Sequence, residues 1–365
     1  MKFTRYGRAA VIAVAGAIVL SSCAANEEAA PAPSEGEVTA LSGDLVGIGA
    51  SSQGSAQESW VAGFQTANPD VNISYDPAGS GGGRDAFVAG SADFIGTDRA
   101  FKDEEIAAGE FGACADAKIV ELPLYISPIA VIFNLEGVDT LNMDAATIAG
   151  IFTGAITNWN DPAIAEANPD ATLPDLAITA VHRSDDSGTT ENFTDYLFQV
   201  APDVWTIEPD GVFPEALGGE AAKGTSGVVD AVTNGTGTIG YADASKAGDL
   251  GTVSVKVGEE FVEYSPEAAA AIVDASPLVE GRGANDLAIE LNRTSEEAGI
   301  YPIVLVSYLV ACETYAESDN VELIKAYFTY IASEEGQKVA AEAAGSAPIS
   351  SALFEKIQPA IDAIK

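Results

Sequence analysis

An α/β fold with largely parallel or mixed sheets and helices on both faces is predicted by three features of the chain. Short apolar strand-like runs alternate along it with segments of helical spacing. The length of 365 residues exceeds what one small core needs and points to about two domains. A composition of 47% hydrophobic, 8% aromatic and 20% charged residues is that of a folded protein, despite its acidity.

The elements are read in order. Asp44–Gly49 is a short strand, and 53–67 has helical spacing that stops at Asn68-Pro69. Val71–Tyr75 alternates as a half-buried strand should. Gly79-Ser80-Gly81-Gly82-Gly83 reads as a turn from which Arg84–Ala89 opens a helix, and Ala92–Gly96 as a strand ending at Thr97-Asp98. Ile126–Phe133 is a buried strand, Ala145–Phe152 a helix, Ala177–His182 a strand and Thr189–Val200 a helix. Thr238–Tyr241 is a further strand, and Ile303–Val310 reads as a long, fully apolar one. Helices over 321–332, 334–344 and 351–364 close the chain, and no internal repeat is evident.

The N-terminus is read separately. Lys2, Arg5 and Arg8 precede a twelve-residue uncharged apolar run, Ala9–Leu20, which is too short to span a bilayer but fits a signal-peptide core. Leu20-Ser21-Ser22-Cys23 then resembles a bacterial lipobox, in which Cys23 takes the lipid and becomes the new N-terminus. Residues 1–22 are thus read as a signal peptide and 23–40, rich in Ala, Pro and Glu, as a flexible tether. The alternative is an ordinary signal peptide that happens to contain a cysteine.

The chain carries 17 Lys+Arg against 55 Asp+Glu, a net charge of −38. Loss of residues 1–22 removes three bases and no acid, leaving 14 against 55 and a net −41. Such a charge argues against a nucleic-acid partner. One histidine and three cysteines exclude multi-His and Cys₄ metal sites, so no metal is expected. With Cys23 assigned to the lipid, Cys114 and Cys312 remain as an even pair in an extracytoplasmic protein. They are read as a disulfide, the alternative being two buried thiols.

Four segments carry chemistry: 49–55, 79–84, 93–98 and 182–190. Three of them place Ser, Thr or Gly where a helix begins. There the first backbone N–H groups lack intrahelical acceptors and the helix dipole is positive. Hydroxyls add donors and glycines admit close approach, so each start can hold an oxyanion. Arg183 adds a fork that binds two oxygens at once. Taken singly, each such segment is more often a plain N-cap, a loop or a surface ion pair; their combination is what carries weight.

The combination resembles the phosphate-binding lipoprotein of bacterial high-affinity phosphate ABC transporters, the PstS family, over essentially the whole mature chain. The resemblance is carried by 78–83, 93–98, 148–154, 157–161, 237–241 and 301–303, and most specifically by Arg183-Ser184-Asp185-Asp186-Ser187-Gly188-Thr189-Thr190. It implies a two-lobed periplasmic-binding-protein fold of type II with the ligand cleft between lobes. Lobe one would comprise 41–131 and 300–365, and lobe two 132–299, with crossings near 129–134 and 284–301. It implies phosphate ligands Ser51, Ser80, Asp98, Arg183, Ser187, Gly188 and Thr189, with Ser52 giving its backbone N–H and Asp185 supporting Arg183. Where the family often has Thr, an aromatic and prolines, Ser51-Ser52-Gln53 stands here, which leaves open which serine presents its hydroxyl. The implied protein is a monomer without cofactor, lipid-anchored on the extracytoplasmic face of the cell membrane, that hands phosphate to membrane permease subunits and is not an enzyme.

Asp98 sharpens the expectation physically. A carboxylate facing an anion is repulsive unless the anion donates a proton, as hydrogen phosphates do and sulfate does not; sulfate would leave a buried acceptor unpaired beside like charge. Two other classes compete. A binding protein for another oxyanion, such as sulfate or molybdate, meets the Asp98 objection. A phosphate-monoester hydrolase built on Ser187 and His182 lacks a Gly-x-Ser-x-Gly elbow, and strand alternation turns His182 and Arg183 to opposite faces.

Overall fold

A computed structural model describes residues 40–365, so the predicted signal peptide, Cys23 and nearly all of the tether lie outside the described residues. The strands are β1 Gly43–Gly49, β2 Val71–Asp76, β3 Phe94–Thr97, β4 Ile119–Asn134, β5 Thr140–Met143, β6 Thr179–Arg183, β7 Glu220–Ala222, β8 Thr238–Asp243, β9 Gly251–Val257, β10 Glu260–Val262 and β11 Val304–Cys312. The helices are α1 Gly54–Ala67, α2 Ser80–Ala89, α3 Asp103–Ala108, α4 Ala145–Phe152, α5 Pro162–Ala167, α6 Gly188–Val200, α7 Gly224–Asn234, α8 Pro266–Asp274, α9 Val321–Ala332, α10 Glu334–Ala344 and α11 Ser351–Asp362.

The strands run in the order β2-β1-β3-β11-β4-β8-β6-β7, with β9 also beside β4, and β5 and β10 on β9. β1 is parallel to β2 and β3, whereas β11 is antiparallel to β3 and β4, so the sheet is mixed. The long strand β4 joins two halves. Its residues Ile119–Pro128 pair with β11, and Ile129–Asn134 pair with β8. Partner exchange falls at Pro128/Ile129, where the Ile129 N–H still donates to the Ile303 carbonyl at 2.7 Å just before β11 begins. Ahead of β11, the Arg293 guanidinium donates to the carbonyls of Pro302 and Val304. Residues 286–287 lie against β4, where the Leu287 N–H donates to the Glu121 carbonyl.

β4 is buried along all but its last residue and β11 along its whole length. That explains their unbroken apolar runs, because strands covered on both faces do not alternate. One large apolar cluster extends from Leu45 to Ile364, and a smaller one gathers Ala130, Ile132, Val181, Val228 and Val232 under α7. Cys114 and Cys312 are joined by a disulfide across a sequence separation of 198 residues, tying the α3–β4 connection to the end of β11.

Two sequence readings are corrected. The glycine-rich stretch 80–83 is the first turn of α2, not a turn preceding a helix. Glycine weakens a helix by roughly 1 kcal/mol relative to alanine, but here the backbone must pass close to its neighbours. A Cβ at Gly83 would lie 2.7 Å from Gly49 Cα. The final strand is not fully apolar either: Ser307 sits at its centre, 0% exposed.

Candidate functional site

The C-terminal end of β1, the start of α2, the end of β3 and the start of α6 converge on Asp98. In parallel α/β units the strand ends and the helix starts that follow them lie at one edge, and ligands gather there. Ser51–Gln53 form a single 3₁₀ turn after β1. Ser80 is the first residue of α2, and Ser187 caps α6 by accepting the Thr190 N–H at 3.2 Å. The N–H groups of Gly188 and Thr189, at the first two positions of α6, have no intrahelical acceptor.

Of the predicted residues, Ser52, Ser80, Gly188 and Thr189 are brought together around Asp98. The Asp98 carboxylate is 3% exposed and accepts three hydroxyls: Ser52 at 2.6 Å and Ser307 at 2.7 Å on Oδ1, and Thr189 at 3.0 Å on Oδ2. The Asp98 N–H donates to Ser80 Oγ at 3.1 Å. Gly188 comes so close that a Cβ there would lie 2.6 Å from Asp98 Cβ and 2.7 Å from Ser80 Oγ. The β1–β3 side and the α6 side therefore meet face to face at this point.

Ser51 and Ser52 divide their roles. Ser52 turns its hydroxyl to Asp98, while Ser51 Oγ pairs with Thr225 Oγ1 at 3.0 Å and accepts the Thr225 N–H at 3.2 Å. Arg183, 3% exposed, donates Nε at 2.8 Å and Nη2 at 2.6 Å to the two oxygens of Asp185. Nη1 makes no hydrogen bond among the described residues, so one edge of the fork stays available. Burial alone would raise the Asp185 carboxyl, but the bonds and charge of Arg183, with the Gly224 N–H at 3.0 Å, hold it below its ordinary value.

His182 is placed elsewhere. Its ring stacks on Phe213 at 4.1 Å, and Nδ1 is 2.9 Å from the Arg183 carbonyl. It is packed rather than aimed at Ser187, so no Ser–His pair forms.

Sequence reasoning missed Ser307, Gln53, Asn192, Thr225 and Arg293. Gln53 donates to Ser307 at 2.7 Å. Asn192 donates to the carbonyls of Asp98 at 2.6 Å and Gly188 at 2.9 Å, and is itself held by Arg293 Nη2. Asn192 stands at the fourth residue after Gly188 on a helix and could have been found by that spacing. Nothing local marks Ser307 or Arg293.

A protein-family model described as the PBP superfamily domain matches residues 30–335. The chain is 33% identical over 339 residues to Phosphate-binding protein PstS 3 of Mycobacterium tuberculosis, covering 90% of each chain. It is 29% identical over 374 residues to PstS 2 of the same organism, covering 100% of both. The chain belongs to the PstS family of phosphate-binding proteins. Solved structures share the fold of this PstS-family chain. A high-affinity periplasmic phosphate-binding protein (PfluDING) bound with phosphate gives a TM-score of 0.67 at 22% identity, covering 87% of this chain and 93% of that one. A phosphate-binding protein from Stenotrophomonas maltophilia gives 0.63 at 20% identity, covering 87% and 94%. The architecture is accordingly the two-lobed α/β periplasmic-binding fold.

A second buried carboxylate lies on β8 of this PstS-family chain. Asp243 is 0% exposed at the point where β4 changes partner. Its two oxygens each accept from Tyr125 Oη at 3.1 Å, and Oδ1 accepts the Ser245 N–H at 3.0 Å. Burial pushes its carboxyl up to about 6, the charge of Asp98 adding to the rise and the hydrogen-bonding groups of Ser245 and Ser127 opposing it. The geometry also amends the sequence argument about Asp98. With three hydroxyl donors its carboxylate is already satisfied, so a sulfate ion would not leave it bare. One lone-pair position, on Oδ2, is left to accept a further hydrogen bond.

Proposed function

We propose that this chain captures inorganic phosphate between its lobes and delivers it to the permease of a phosphate ABC transporter. The carrying observation is the enclosed convergence on Asp98 of three helix or 3₁₀ starts, with Arg183 clamped by Asp185 nearby. Such a site offers backbone N–H groups, hydroxyls and one guanidinium edge to a tetrahedral anion. It also offers one carboxylate to an anion that carries a proton. The phosphate-binding relatives, and the related fold solved with phosphate bound, support the same reading.

In this reading Ser80, Arg183, Ser187, Gly188 and Thr189 contact the ion and Asp98 accepts its proton. Ser52 presents its hydroxyl through Asp98, and Ser51 contributes chiefly by tying the first turn to α7. Asp185 orients Arg183. Lobe one comprises 41–131 and 300–365, and lobe two 132–299. The protein is a monomer that needs no cofactor or metal and turns nothing over. It is held on the extracytoplasmic face of the cell membrane by lipid on Cys23. Among the described residues no helix is long and apolar enough to cross a membrane.

Calorimetric titration of protein freed of carried-over phosphate tests the reading. Saturable 1:1 phosphate binding with sulfate far weaker supports it. Tighter binding of sulfate or molybdate would replace it with the other-oxyanion class.

A further inference from the structure

The groups around Asp98 are enclosed: Ser80 and Thr189 are 1% exposed and Ser187 is 0%. An ion reaches them only when the β1–β3 side and the α6 side part, so something must hold the two sides together once it is inside. One acidic residue between them has no part in the ligand set. Asp186 follows the Arg183 clamp, and its carbonyl accepts the Gly81 N–H at 3.2 Å. Its Oδ1 accepts from Arg84 Nη2 at 3.1 Å, while Arg84 Nη1 donates to Thr97 Oγ1 at 3.1 Å, one residue before Asp98.

The fit around that side chain is close. A Cβ at Gly81 would overlap Asp186 Cγ and lie 2.5 Å from its Cβ and 2.6 Å from its Oδ2. A Cβ at Gly211 would overlap Asp186 Oδ1. The Asp186 side chain therefore occupies a slot walled by two glycines, one from the first turn of α2 and one from the loop after α6. Any larger residue at Gly81 would prop the slot open. This gives the middle of the glycine run a purpose that anion binding leaves unexplained. The slot opens onto a cleft of about 240 Å³ lined by Arg84, Arg99, Glu105 and Asp186, so the carboxylate keeps contact with solvent. Beside it, Arg99 Nε lies 2.9 Å from Glu191 Oε2 on α6, a second tie between the same two sides.

We infer that Asp186, seated between Gly81 and Gly211 and paired with Arg84, is the latch that holds the closed cleft and sets the rate of phosphate release. The inference rests on the phosphate reading above. Asp186 is a positioning residue, since it touches the opposite side and not the ion. Because its carboxylate is half exposed, the ion pair contributes modestly and the slot contributes more.

Stopped-flow release and calorimetry with inorganic phosphate on the full mature chain test it. Asp186→Asn keeps the shape and loses the pair, and should speed release about threefold with little change in association rate. Gly81→Ala should speed release by at least about tenfold, while the melting temperature without phosphate holds or rises, because alanine favours a helix. Asp186→Gly removes the atoms that the new methyl group meets. The double variant Gly81→Ala/Asp186→Gly should therefore release phosphate within about threefold of Asp186→Gly alone, a strong non-additivity. Wild-type release rates in Gly81→Ala would overturn the latch, as would additive losses in the double variant. If wild-type protein binds no phosphate, the functional reading falls and the latch with it.

Discussion

Replacing Asp98 by asparagine should invert much of the preference for a protonated anion. The carboxylate offers about four lone-pair positions, and Ser52, Ser307 and Thr189 take three of them, two on Oδ1 and one on Oδ2. An asparagine that keeps its oxygen at the Oδ1 place retains the first two. Its amide then faces Thr189, whose hydroxyl can rotate to accept, so the variant has no unpaired buried group. What changes is the fourth position, which becomes a donor. A hydrogen phosphate loses a charge-assisted acceptor worth about 1.5–3 kcal/mol, roughly a 10- to 150-fold weaker Kd. Sulfate gains a donor where it met an acceptor, whereas loss of the carboxylate charge relieves sulfate and the hydrogen phosphate dianion alike and leaves their ratio unchanged. The ratio of sulfate to phosphate Kd should fall by at least about 30-fold, from a loss of at least about 1.5 kcal/mol for phosphate and a gain of about 0.5 kcal/mol for sulfate. Competition calorimetry with both anions on wild type and Asp98→Asn measures it. A ratio unchanged within threefold would refute the assignment of Asp98 as the proton acceptor.

Three further outcomes follow from the same geometry. Asp185→Asn should weaken phosphate binding about tenfold by releasing the Arg183 fork, although it makes the site less negative; tighter binding by titration would contradict the positioning role. The Asp243 carboxyl rises from an ordinary 3.8 to about 6 in the folded protein, so the folded state binds the extra proton. Its contribution is full below about pH 4 and is lost as pH rises through 6, about 3 kcal/mol in all. Asp243→Asn should remove that slope from stability measured by denaturant between pH 4 and 7, and an unchanged slope would place the titration elsewhere. Opening the Cys114–Cys312 disulfide, which closes a loop of about 198 residues, should cost up to about 5 kcal/mol in the chain-entropy account. A melting temperature unchanged in Cys114→Ser/Cys312→Ser would reject it.

The sequence was informative where one segment contains its own explanation. Helices α4, α9 and α10 match the expected boundaries because apolar spacing and the caps Asp144 and Ser333 mark them locally. The 182–190 string announced both the start of α6 at Gly188 and the Arg183–Asp185 clamp, since two residues of spacing suffice to pair them. The glycine run was misread because composition favours a turn; only the approach of Gly49 and Asp186, distant in sequence, shows why a helix must be built from glycines there. Ser307 was hidden for the opposite reason. A single hydroxyl inside an apolar strand is indistinguishable from a core position until β11 is set beside β3, which brings it to Asp98, 209 residues away. Short strands such as β5, β7 and β10 were missed because three or four residues carry too little periodicity to register.

The acidity that excluded nucleic acid is compatible with anion capture, since dipoles and one guanidinium act at contact while surface carboxylates are screened beyond about 8–10 Å at physiological salt. The central claim is that this enclosed site holds inorganic phosphate and reads its proton. Its most direct test is isothermal titration of the full mature chain, stripped of phosphate, with phosphate and then with sulfate at neutral pH. The account predicts one tight phosphate per chain and sulfate binding weaker by two orders of magnitude or more. Equal affinities, or no phosphate binding at all, would contradict it.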